Sequence, residues 1–149
     1  MKLKIYLDNC CYNRPYDNPN DINVQMETTA KLFIQSQVRF GDILLVNSFV
    51  LYSEIMDNPF EHKRNSILQF IDDYAKEYVG SEMASQALVI ATDIMKTGIK
   101  AVDAAHVACA ILANCDCFIT TDKRLLRYKT DRINLFNPVE FVKQWEAMV

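Results

Sequence analysis

Apolar side chains at alternate positions from Leu3 to Leu7, with β-favouring Ile5 and Tyr6 among them, predict a first strand that stops at the turn-favouring pair Asp8-Asn9. Asn13-Arg14-Pro15 and Asn18-Pro19-Asn20-Asp21 read as irregular chain. From Gln25 to Phe40 the pattern changes period, with Met26, Thr29, Ala30, Phe33, Ile34 and Val38 at helical spacing and Gly41 as the stop. Ile43 to Val46 is a short continuous apolar run, the pattern of a parallel strand covered on both faces. Asn47 or Ser48 then caps a helix that carries Glu54 and is limited by Pro59. Between Pro59 and Gly98 the spacing predicts two helices broken near Gly80-Ser81: Ile67, Phe70, Ile71 and Tyr74 line one, and Ala84, Ala87, Leu88, Ala91 and Ile94 the other.

Val102 to Leu112 is apolar nearly all round, as in a helix covered by other elements. Cys117 to Thr121 predicts a third strand, Lys123 to Tyr128 a short helix and Ile133 to Phe136 a fourth strand. A terminal helix follows over Pro138 to Val149, with Pro in its first turn. This βα alternation implies one α/β domain, with a mainly parallel central sheet between two helical layers.

Composition narrows the function. A chain of 149 residues, half of them apolar, suits one globular domain. A net charge of -3 argues against broad electrostatic gripping of nucleic acid, so any phosphate contact must be local. Five cysteines, two of them adjacent, do not form a secreted disulfide framework and point to a reducing cytoplasm. The Met1-Lys2-Leu3-Lys4 start has no signal-peptide core, and no apolar run is long enough for a bilayer, so a soluble cytoplasmic protein with no membrane partner is expected. Neither a Gly-rich phosphate loop nor a dinucleotide fingerprint is present, which argues against a nucleotide cofactor.

Four acids share one rule of position. Asp8 ends the first strand, Asp122 ends the third, Glu54 lies in the helix after the second and Asp103 opens the covered helix. In open α/β sheets the carboxyl ends of the strands form the ligand-binding edge, so these groups can meet. Magnesium and manganese take such hard oxygen donors, and one or two ions held there can promote phosphodiester hydrolysis without a protein nucleophile. Taken singly, each acid also fits a structural role: Asp8 in a turn, Asp122 as an N-cap, Asp103 favoured by a helix dipole and Glu54 as a solvated carboxylate. Asp103 weakens that alternative, because it interrupts the otherwise buried Ala101-Val102-Asp103-Ala104-Ala105-His106, and an unpaired buried carboxylate is costly.

Four segments then carry a resemblance over essentially the whole length: Ile5-Tyr6-Leu7-Asp8-Asn9; Asn47-Ser48 with Ser53-Glu54; Gly98-Ile99 with Asp103-Ala104-Ala105-His106-Val107-Ala108; and Phe118-Ile119-Thr120-Thr121-Asp122-Lys123-Arg124-Leu125-Leu126. In order and spacing they resemble the PIN-domain family. The resemblance implies a three-layer PIN-like fold and a Mg2+- or Mn2+-dependent endoribonuclease, with Asp8, Glu54, Asp103 and Asp122 as its catalytic, metal-holding acids. It also implies Asn9 and Thr121 as hydrogen-bonding supports, RNA as substrate, and, by similarity to toxin ribonucleases, a cognate antitoxin protein and a homodimer. One departure is visible: the family often has Thr or Ser and then Asn after the first Asp, where this chain has Asn9 and then Cys10. A non-catalytic PIN-like module that binds RNA or protein is the alternative.

His106, three positions after Asp103, reads as a satisfied core histidine, since no His or Cys cluster with metal-ligand spacing is present. Cys115-Asp116-Cys117 has no second pair and reads as two small buried thiols. Charge is concentrated in one place: Lys123, Arg124, Arg127, Lys129 and Arg132 against Asp131 leave +4 over residues 123–132, beside Asp122. Either this cluster is a solvated helix face or some of it, with Lys123, Arg124 and Arg127 as candidates, contacts RNA phosphates, Arg14 being a second candidate; Tyr12, Tyr16 and Tyr128 either stack on unpaired bases or pack against the fold.

Overall fold

β1 (Leu3–Leu7) forms where expected and lies at the centre of the sheet, with β2 (Ile43–Ser48) on one side and β4 (Cys117–Ile119) on the other. The computed structural model describes residues 2–13 and 20–148. Arg14 and Tyr16, singled out above, lie outside the described residues. With β3 (Ala75–Val79) and β5 (Asn134–Phe136) at the edges, the five strands run parallel in the order β3-β2-β1-β4-β5. A strand flanked on both sides and both faces must be apolar throughout, and Ile5, Tyr6 and Leu7 are 0–1% exposed.

Local chemistry sets the helix ends. Asp21 accepts hydrogen bonds from the N–H groups of Asn23 and Val24, so α2 (Ile22–Phe40) starts one turn earlier than the apolar spacing indicated. It closes at Gly41, whose φ of 83° lies in the left-handed region that a side chain disfavours. Ser48 caps α3 (Phe49–Met56) by accepting from the Leu51 N–H. Asn137 accepts from the Val139 N–H at the start of α8 (Pro138–Met148). α8 packs on α2, while α5 (Ala84–Met95) packs closely on α6 (Ala101–Leu112); Ala87, Ala91, Ala104 and Ala108 are buried along this second pair.

Two differences from the sequence pattern matter. The region between Pro59 and Gly98 holds α4 (Glu61–Tyr74), then β3 (Ala75–Val79) with no connecting turn, then a 3-10 turn at Ser81–Met83 before α5, so the sheet has five strands rather than four. β3 is an edge strand with only Val79 buried, and its Lys76 and Glu77 face water, so no apolar run announces it. Second, Asn9-Cys10-Cys11-Tyr12 forms a one-turn helix, α1 (Asn9–Tyr12), where a turn was expected. The chain then closes with α7 (Lys123–Leu126) and β5 (Asn134–Phe136), both shorter than the sequence suggested.

Candidate metal centre

Period-two alternation along β1 places Tyr6 and Asp8 on one face and Leu7 on the other. That face is the one α6 covers, because Tyr6 meets His106 edge to face and stacks on its register partner Phe118 at 5.3 Å. Carrying the register two residues further brings Ser48 of β2 and Thr120, just past β4, level with Asp8. The bonds agree: the Asp8 N–H donates to Ile119 O at 2.9 Å, and the Thr120 hydroxyl donates to Asp8 Oδ2 at 2.8 Å. Asp8 also caps α1, accepting the Asn9 N–H on Oδ1 at 2.8 Å.

Glu54, on α3, and His106, on α6, complete the group. His106 Nε2 lies 3.1 Å from Glu54 Oε1 and 4.0 Å from Asp8 Oδ1, and one donor atom from each of the three residues lies within 4.8 Å of the others. Asp103 and Asp122 do not join this three-residue group; Asp103 is coupled to it electrostatically, through Asp8, His106 and Glu54, and is also coupled to Asp122. Burial, first, and then the charges of Asp8 and Asp122 push the Asp103 carboxyl above its usual range. Asp122 is N-cap as well as candidate ligand, its Oδ1 accepting from the Arg124 N–H at 2.8 Å and the Leu125 N–H at 3.3 Å.

The acids differ in electrostatic state. Burial raises Asp8, against opposing pulls from His106 and the Thr120 hydrogen bond. Glu54 goes the other way, lowered chiefly by the hydrogen bond from His106, with a smaller contribution from the Asn9 side chain. Repelling carboxylates partly withdrawn from water favour a cation among them, and the donors are the hard oxygens that Mg2+ and Mn2+ take. The residues present therefore fit a divalent ion.

The supports differ in detail from the sequence reading. The Asn9 side chain helps to lower Glu54. The hydroxyl that reaches Asp8 belongs to Thr120, while Thr121 gives its backbone N–H to Cys10 Sγ at 3.3 Å. His106 is buried and satisfied, as read, but its second ring nitrogen opens onto the acids. The Asp103-to-His106 spacing, which puts both on one helical face, was the available clue. Beyond Asp122, the basic residues are exposed, and Arg124, Arg127 and Lys129 line a groove of about 530 Å³ with Gly98 and Tyr128. Tyr12 is buried in the core and does not present its ring for stacking.

No family model matches the sequence, and no curated protein sequence matches it significantly. Solved structures do match. VapBC2 from Rickettsia felis, bound to a DNA fragment from their promoter, covers 91% of this chain and 98% of its own at 13% identity, with a TM-score of 0.56. FitAB bound to an IR36 DNA fragment covers 91% and 95% at 18% identity, TM-score 0.58. FitAcB from Neisseria gonorrhoeae covers 90% and 97% at 19% identity, TM-score 0.54. Likeness at these identities is likeness of fold, and the fold of this chain is the PIN-domain fold.

Proposed function

We propose that the chain is a divalent-metal-dependent endoribonuclease, the toxin of a toxin–antitoxin pair. The observation that carries this is the convergence of Asp8 and Glu54, with Asp103 electrostatically coupled to both, at the carboxyl edge of a parallel sheet. Asp8, Glu54, Asp103 and Asp122 would hold Mg2+ or Mn2+. When bound, such an ion supplies an activated water and neutralises charge developing at the phosphate. The chain's own part is to place and orient. Thr120 and the Asn9 N–H fix the Asp8 carboxylate, and Lys123, Arg124 and Arg127 offer phosphate contacts beside the acids, with Arg14 as a further candidate. Likeness in fold to VapBC2 and FitAB supports a cognate antitoxin as protein partner, and a homodimer is inferred only from the resemblance carried by the sequence motifs.

The test is cleavage of single-stranded RNA by purified protein with Mg2+ or Mn2+, with chelator as control, alongside Asp8→Asn. The expected outcome is cutting that needs metal and falls to background in the variant. Cutting that survives both chelator and Asp8→Asn would sink the metal-nuclease reading. Tight RNA binding without cutting would leave a non-catalytic binding module.

A further inference from the structure

The four-acid reading makes no use of the polar chain behind His106, yet that chain is among the most buried features of the pocket. His106 is 1% exposed, Tyr6 and Ser48 are fully buried, and their atoms form a continuous line. The Leu51 N–H donates to Ser48 Oγ at 3.0 Å, Ser48 Oγ lies 2.6 Å from the Tyr6 hydroxyl, and that hydroxyl lies 2.7 Å from His106 Nδ1. His106 Nε2 then reaches Glu54 at 3.1 Å. An ionised carboxylate only accepts, so Nε2 is the donor in this contact; either hydroxyl can turn to suit the other ring nitrogen.

The line closes on itself. Ser48 caps α3, and Glu54 stands on the same helix, so β1 through Tyr6 and α6 through His106 together fix both the start of α3 and its carboxylate. Glu54 needs this more than Asp8 does. Its side chain is 36% exposed against 7% for Asp8, it has more rotatable bonds, and the charge of Asp8 pushes it towards water. We propose that His106, backed by Tyr6 and Ser48, is a positioning residue that holds Glu54 facing Asp8 and so preorganises the pair for a divalent cation. This rests on the metal reading above.

A cycle of variants measured by calorimetric titration of the metal-free protein with Mn2+ tests it. Glu54→Gln should weaken binding, and His106→Leu should weaken it about 10- to 100-fold, the usual effect of losing a residue that orients a ligand. His106→Leu added to Glu54→Gln should weaken it no further, because the residue acts through Glu54. His106→Gln, which keeps a side-chain N–H, should recover part of the loss. Should His106→Leu fail to fold, Tyr6→Phe runs the same cycle, keeping the ring while releasing the imidazole. Full additivity with Glu54→Gln would make His106 a structural core residue and overturn the inference alone. Nitrogen coupling to bound Mn2+ that disappears in His106→Gln would make it a direct ligand, again overturning positioning. Unchanged Mn2+ affinity in Glu54→Gln would overturn the metal reading and this inference with it.

Discussion

Asp8 and Asp103 hold their protons more tightly in the folded chain than their ordinary value near 3.8 implies, whereas Glu54 holds its proton less tightly than its ordinary 4.5. For the raised pair, the contribution to stability is fully present below 3.8 and is lost as pH rises through the raised folded values; for Glu54 it is present above 4.5 and lost as pH falls through the lowered value. Above those raised values the metal-free fold therefore carries the strain of Asp8 and Asp103. Asp103→Asn should leave metal-free stability equal to the parent or higher at neutral pH, with the gap closing as pH falls below the raised value of Asp103. Thermal melts across that range check this. The same variant should lose metal-dependent cleavage and gain less from metal than the parent, for which a hundredfold excess over the dissociation constant is worth about 2.7 kcal/mol. Parental cutting and parental stabilisation by metal would reduce Asp103 to a helix-end residue. The pairing of Asp8 and Glu54 was legible in the sequence because one follows β1 directly and the other stands on the helix after β2, whereas β4 stops at Ile119, short of the Thr121 expected, and leaves Asp122 three residues beyond it. Thr120 was not, since choosing it over Thr121 needs the sheet register, and the reach of His106 to Glu54 depends on how α3 packs on α6.

At the scale of elements, α7 shows one residue serving two roles. Asp122 caps this short helix and also contributes charge to the pocket, so its variants should separate the two. Asp122→Ala should cost about 1 kcal/mol of stability through the lost cap. Asp122→Asn keeps the capping oxygen, so it should unfold close to the parent in denaturant while still losing cleavage. If Asp122→Asn cuts RNA at the parental rate, the cap is its whole role. Elements with a two-sided apolar signature, β1, β2 and α6, could be read directly from the chain. β3 could not: Ala75-Lys76-Glu77-Tyr78-Val79 pairs with β2 on one side only, and Lys4 reaches across to Glu77 with a 2.6 Å ion pair that no local pattern encodes. Asp21 was legible only as a turn residue, although its capping bonds start α2 at Ile22.

For the whole molecule, a net charge of -3 coexists with an exposed basic stretch beginning at Lys123, next to Asp122, an arrangement that would confine the proposed nucleic-acid contact to that stretch. Reversing the charges of Lys123, Arg124 and Arg127 together should weaken RNA binding and flatten its salt dependence by about one log unit per lost phosphate contact, with metal affinity largely retained. Unchanged affinity and slope in filter binding at several salt concentrations would make the stretch a solvated surface. The topology has one further result, which concerns synthesis. β1 leaves the ribosome before the strands beside it, β2 and then β4, and Tyr6 waits 112 residues for Phe118. The group of Asp8, Glu54 and His106 therefore cannot assemble until α6 has emerged, and the proposed four-acid site waits for Asp122. Products of translation interrupted before α6 would carry Asp8 and Glu54 without the histidine between them, so on the proposed function an unfinished chain would be harmless to the cell that makes it.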